Sequence, residues 1–315
     1  MSFSILVGDA AETMSGLPDR GVHCIVTSPP YYRQRDYGTH GQIGREVSAE
    51  DYLSRIGEVL RQCLRVIRDD GVMWLNCGDT YDSGNLLGMP WRLAFLAKEI
   101  GWTLRQDVIW SKKTPMPAAA KGRCVTSHEY VFLLSKSDRY YFDQTAIAEP
   151  ASHGGTKGRR SVWSLASTPF GGLHFATMPR TLAELCLSAG ASLHGCCPEC
   201  KSPWSRTVAK KPLTRRRPND LVKRRGTAGT GNRCRNTVAG VETITTGWEP
   251  ACKCERVDVE PCVVLDPFAG SGTTLAVAAS LGMHGVGIEI SPEYAAMARE
   301  RCKEALNHVG QKSCP

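Results

Sequence analysis

Apolar positions follow two rhythms along the chain. Short runs are nearly continuous: "SILV" at 4–7, "VHCIVT" at 22–27, "VMWLNC" at 72–77, "CVVLD" at 262–266 and "HGVGIEI" at 284–290. A parallel strand covered on both faces reads this way. Other stretches carry helical spacing. Residues 49–68 place Tyr52, Leu53, Ile56, Val59, Leu60, Cys63, Leu64 and Ile67 on one side, opposite a charged face. Further helices are predicted after the first strand at 10–17, after Pro90 as far as Gly101, and at 273–282. A last helix begins at Ser291, with Pro292 in its first turn. "RQDVIWSK" at 105–112 and "EYVFLLSK" at 129–136 read as another pair of strands.

Strand and helix in alternation predict an α/β fold. The expected form is a doubly wound, mostly parallel sheet with helices on both faces and right-handed connections. The alternation fades between about Gln144 and Pro261, where Gly, Ser, Arg, Pro and Cys dominate and one helical piece stands at 180–190. Four segments follow. Residues 1–143 and 257–315 are two halves of one α/β domain. Residues 144–195 connect them and are one candidate for target recognition, and 196–256 form an irregular, basic, cysteine-rich insert. No internal repeat is present.

The chain has 315 residues and 42% hydrophobic content, enough for a real core. No run of about 18 apolar residues suggests a membrane span. The N-terminus has no basic region ahead of an apolar stretch, so a cytoplasmic protein is expected. Most of the 14 cysteines sit in apolar runs, Cys24, Cys63, Cys77, Cys186 and Cys262 among them, as buried free thiols would in a reducing compartment. The net charge of +8 is concentrated: Lys201 to Arg235 holds twelve Lys/Arg and one acid, so the rest is about −3. Such a block suits either a polyanion partner or a solvated loop.

Asp266-Pro267-Phe268-Ala269-Gly270-Ser271-Gly272-Thr273 joins a strand to a helix. Its glycines let a bound molecule approach the backbone, and no lysine follows to hold phosphates. The next strand ends in Glu289, placed to bind two ribose hydroxyls. Together they suit a phosphate-free nucleoside cofactor such as S-adenosylmethionine. An ordinary turn beside a surface Glu is the alternative.

"TSPPYY" at 27–32 ends another strand. Pro29 and Pro30 fix the backbone and remove two donors. A stiff, acceptor-rich loop remains, with Ser28 and an aromatic plate in Tyr31. It suits the amine of a flipped base. A proline turn with both tyrosines packed is the alternative.

Ser28-Pro29-Pro30-Tyr31 together with Asp266–Thr274 resembles the DNA amino-methyltransferases, which methylate N4 of cytosine or N6 of adenine. The catalytic motif precedes the cofactor motif, as in the circularly permuted β group. "GD" at 8–9, "LNCGD" at 75–79, "HEYVFLLSKSDRYYFD" at 128–143 and "FATMPRTLAE" at 175–184 extend the likeness over about 1–190 and 257–305. The resemblance implies that Ser28 and the Pro29 carbonyl accept from the target amine and that Tyr31 stacks on the flipped base. It places Asp9, Asp266, Phe268, Gly270, Gly272, Thr273 and Glu289 around S-adenosylmethionine, with Thr177 and Pro179 near its methionine end. It implies double-stranded DNA as substrate, a cognate restriction enzyme and a homodimer. Ser28 leans the target toward N4-cytosine, with N6-adenine the alternative. An RNA or small-molecule methyltransferase and an inactive zinc-dependent DNA-binding protein are the competing classes.

Cys197-x-x-Cys200 and Cys252-x-Cys254 bracket the basic block and could hold one structural zinc. Cys196 and Cys234 are spare ligands. Plain thiols or a redox pair are the alternatives. Such a metal would close a loop that has no core of its own, and the basic block would lie against phosphates.

Overall fold

The computed structural model describes residues 2–115, 122–152, 154–166, 178–215, 237–255 and 258–312. Chain order is β1 (Phe3–Val7), α1 (Ala10–Ser15), β2 (Val22–Thr27), α2 (Ala49–Val66), β3 (Ile67–Cys77), the short pair β4 (Tyr81–Asp82) and β5 (Asn85–Leu86), and α3 (Met89–Ile100). Then come β6 (Thr103–Lys112), β7 (His128–Ser135), the short pair β8 (Glu149–Pro150) and β9 (Thr156–Lys157), β10 (Val162–Leu165) and α4 (Arg180–Gly190). The chain closes with β11 (Trp204–Arg215), β12 (Thr237–Pro250), β13 (Val263–Asp266), α5 (Thr273–Ser280), β14 (His284–Glu289) and α6 (Pro292–Lys312).

Eight strands form one sheet in the order β1-β14-β13-β2-β3-β7-β6-β10. All neighbours are parallel except across β7, which runs against β3 and β6. Every residue of β2 is buried, as its continuous apolar run requires of a central strand. Alternate residues go to opposite faces. Ile25, Met73, Leu75 and Leu134 pack with α1, α2 and α3. Cys24, Val26, Trp74 and Leu133 pack with α4 and α5. Side chains buried as completely as Phe132 or Leu134 each contribute about 1.5–3 kcal/mol.

Local chemistry places the helices. Ser48 caps α2, accepting from Asp51 N–H at 3.0 Å, and Glu50 and Asp51 face the positive end of the helix dipole. Ser291 Oγ accepts from Tyr294 N–H at 3.4 Å, as the Ser-Pro start of α6 leads one to expect. The five cysteines of the apolar runs are all buried and free. No helix among the described residues is long and apolar enough to cross a membrane.

Two features depart from expectation. The 144–195 segment is woven into the main domain rather than merely connecting its halves: β10 extends the sheet at β6, and Leu182, Ala183 and Leu187 of α4 are fully buried in the core. The insert is not irregular among its described residues. β11 and β12 form a long antiparallel ribbon, interrupted by register shifts at Thr207/Val208 and Leu213/Thr214. Lys210 and Lys211 are exposed, and Pro212 stands within the strand, so no apolar alternation betrayed it.

Candidate active site

The strand order runs outward in opposite directions from the β13–β2 pair. In an open α/β sheet, a crevice opens beyond the carboxyl ends of strands at such a point. Thr27 ends β2 and Asp266 ends β13. The Thr27 hydroxyl donates to Asp266 Oδ1 at 2.7 Å, joining segments 239 residues apart. The same oxygen accepts from Phe268 N–H at 3.1 Å and turns the chain out of β13. Asp266 is only 4% exposed, and burial pushes its carboxyl up to about 6 against the downward pull of the Thr27 bond.

The glycine turn follows. Gly272 has φ 78° and caps α5, and a Cβ there would stand 2.9 Å from Ala298 Cα, so only glycine fits. Beside Gly270 the space is open: an added Cβ would meet nothing within 4 Å. Gly270 N–H donates to Glu289 Oε2 at 2.8 Å, and Ser291 N–H donates to Oε1 at 2.9 Å. Glu289 is half-buried at the tip of β14, and burial raises its carboxyl above the ordinary range. Phe268 is half-buried against the core. Thr273 accepts at Oγ1 from Arg301 at 2.8 Å, so its hydroxyl turns toward α6.

Asp9, after β1, is engaged as a helix cap. Its Oδ1 accepts from Ala11 N–H and Glu12 N–H at 2.9 and 3.1 Å. Arg55 of α2 lies 3.8 Å from its other oxygen and donates to the carbonyls of Gln42 and Gly41. That clamp holds the 33–48 loop, in which Tyr37 meets Tyr294 edge-on at 6.4 Å. Pro179 is buried at the start of α4. Thr177 lies outside the described residues.

Ser28 and Tyr31 are half-buried and Pro29 is buried, directly beyond β2. The Pro30 carbonyl is not free: Tyr52 OH donates to it at 3.0 Å. Gly78 backs the Tyr31 ring, where a Cβ would stand 2.9 Å from a ring carbon. Tyr32 is 3% exposed and packs on Tyr52 at 5.4 Å between centroids, a core role. Three neighbours of Ser28 and Tyr31 escape sequence reasoning: Asn76, Glu129 and Lys112. Tyr31 OH donates to Glu129 Oε2 at 2.6 Å, and Lys112 Nζ lies 2.6 Å from Oε1. Burial, then the Glu129 charge, raises the Tyr31 phenol well above its ordinary value. The available signal was a charge at the head of an apolar strand and an amide inside "LNC".

The sulfurs of Cys197, Cys200, Cys252 and Cys254 all lie within 4.8 Å of one another. Cys196 does not join them; it sits with His23 and Cys262 in a second buried cluster. Cys234 lies outside the described residues. The four-cysteine knuckle docks at the amino-terminal ends of β2 and β3, away from Ser28. His23 Nε2 lies 2.9 Å from the Lys201 carbonyl, and Arg68 donates to the Cys200 carbonyl at 3.1 Å.

Comparison with known proteins places this geometry. A family model described as DNA methylase, covering N6- and N4-methyltransferases, matches residues 22–194 and 261–300. The type II methyltransferase M.SmaI of Serratia marcescens is 35% identical over 95% of this chain and 90% of its own. M.XycI of Xanthomonas campestris pv. cyanopsidis is 33% identical over 97% and 89%. Among solved structures, the cytosine-N4-specific PvuII DNA methyltransferase superposes with TM-score 0.63 at 17% identity, over 98% of this chain and 93% of that one. This chain belongs to the DNA methylase family and is a methyltransferase of its N6/N4 amino-methylating type.

Proposed function

We propose that this chain transfers a methyl group from S-adenosylmethionine to N4 of a cytosine flipped out of duplex DNA. The Thr27–Asp266 hydrogen bond carries the reading, because it fixes the amine-binding loop beside the glycine turn at the crevice where strand order reverses. The residues around the turn fit a nucleoside: open space beside Gly270, a strand-end carboxylate in Glu289 and an apolar wall in Phe268. Asp9, Gly272, Thr273, Asp266 and Pro179 support that shell. The cofactor supplies a methyl group on a sulfonium centre.

Ser28 Oγ and the Pro29 carbonyl accept hydrogen bonds from the two N–H groups of the amine and draw density toward the nitrogen, which gives up one proton to solvent after taking the methyl group. Tyr31 stacks on the base, its ring backed by Gly78 and its hydroxyl anchored on Glu129. Holding the amine in line with the methyl group replaces a covalent step. Ser28 at the head of the motif supports cytosine. The relatives are named type II methyltransferases, so a restriction enzyme reading the same site is the expected partner.

One tetrahedral zinc on Cys197, Cys200, Cys252 and Cys254 is supported by the clustering of their sulfurs. Its role is structural, closing the base of the β11–β12 ribbon, whose basic residues contact DNA phosphates. Incubation with duplex DNA and labelled cofactor, followed by mass spectrometry of the nucleosides, is expected to give N4-methylcytosine. N6-methyladenine would reassign the base. Methylation of RNA alone, or of nothing, would sink the reading.

A further inference from the structure

Adjacent strands carry polar groups on one face of the sheet at the catalytic edge. Val26, Trp74, Val131 and Trp110 all face the α4 side. Two-residue periodicity puts Asn76, Glu129 and Lys112 on that same face of β3, β7 and β6, and Ser28 stands just beyond β2. Their side chains join Tyr31 in one network. Lys112 Nζ is 2.6 Å from Glu129 Oε1. Glu129 Oε2 accepts from Tyr31 OH at 2.6 Å and from Asn76 Nδ2 at 2.9 Å. The Tyr31 oxygen in turn accepts from Ser28 Oγ at 3.1 Å and from Asn76 Nδ2 at 3.0 Å. The Glu129 side chain is 12% exposed.

We infer that Glu129 is a positioning residue that fixes the direction of every hydrogen bond in this network and so makes Ser28 a pure acceptor toward the target amine. The inference rests on the amine-transfer reading of Ser28. An ionised carboxylate can only accept. Tyr31 therefore gives its single proton to Glu129, and its oxygen offers only lone pairs to its other neighbours. Ser28 gives its own single proton to that oxygen. Asn76 Nδ2 donates to Ser28 Oγ at 3.4 Å, and the remaining Ser28 lone pair is left for the amine. Asn76 is fixed by the same logic: its NH2 must face the carboxylate, and its Oδ1 is buried without a partner among the described residues. Lys112 balances the carboxylate, which burial alone would penalise. Without a carboxylate at 129, the Tyr31 proton can turn toward Ser28, and Ser28 can then present a donor to an amine that needs acceptors.

Glu129→Gln keeps the shape and loses the polarity; Glu129→Asp keeps the polarity and shifts the geometry. Steady-state methylation of duplex DNA, with melting temperature as a folding control, separates them. The expected result is a fall in kcat of about 100-fold for Glu129→Gln, with KM for DNA and cofactor nearly unchanged and Glu129→Asp the more active of the two. Tyr31→Phe removes the same relay, so its loss and that of Glu129→Gln should not multiply in the double variant. A folded Glu129→Gln enzyme with native kcat, multiplying losses, or Glu129→Gln outperforming Glu129→Asp would each overturn the assignment. If Glu129→Gln does not fold, Tyr31→Phe decides: a loss of about tenfold or more in kcat at native KM supports it, and native kcat overturns it. Each of these failures leaves the native enzyme methylating DNA. Absence of methyl transfer by the native protein is a different result, and it removes both readings.

Discussion

Asp266 ties two loops together at an electrostatic cost. An ordinary Asp ionises near 3.8, whereas this one does so only at about 6, burial being the main cause. The unfolded chain therefore gives up this proton first. Stability from this group is greatest below about pH 4 and declines as pH rises to about 6, by up to about 3 kcal/mol. In Asp266→Asn the amide oxygen can still accept from Thr27 and Phe268, and nothing titrates. Calorimetry between pH 4 and 7 should show a flatter melting profile for Asp266→Asn, and a melting temperature at or above the native value beyond pH 6. An unchanged slope would count against the account. Ser28, Tyr31, Asp266 and Glu289 could be found from sequence because each lies in a contiguous motif at a strand end. Glu129 and Lys112 could not. They reach Tyr31 only through the antiparallel register of β7 against β3 and β6, which a local window does not contain.

Elements with a buried stripe were legible for the same reason that they are stable: α2 and β2 announce their burial in their spacing. The β11–β12 ribbon was not legible, because much of it faces solvent and carries charge. At its base Trp204 and Trp248 pack on His194, and the cysteine knuckle would add a second anchor. Native protein is expected to hold one zinc per chain by elemental analysis. Chelation, or Cys254→Ser, should lower the melting temperature by about 5 °C or more, since the knuckle is docked on the main sheet through His23 and Arg68. Metal-free protein with an unaltered melting curve would remove the zinc assignment.

For the whole molecule, charge and topology act together. The basic run belongs to the insert, while the α/β body is mildly acidic. Lys210 and Lys211 are exposed on β11. Replacing both with Gln should reduce the slope of log affinity against log salt by about 2, and leave kcat at saturating DNA intact. An unaltered slope would place phosphate contacts elsewhere.

The neighbours β2 and β13 lie 240 residues apart by their first paired positions, Cys24 and Val264. During synthesis, β2 leaves the ribosome long before the strand that covers its flank. The N-terminal half must wait with an open, largely apolar strand edge, an invitation to self-association. The last 50 or so residues of the chain complete the sheet. Two polypeptides divided within the insert should therefore find each other and restore methyl transfer when co-expressed, while the N-terminal piece alone should collect in the insoluble fraction.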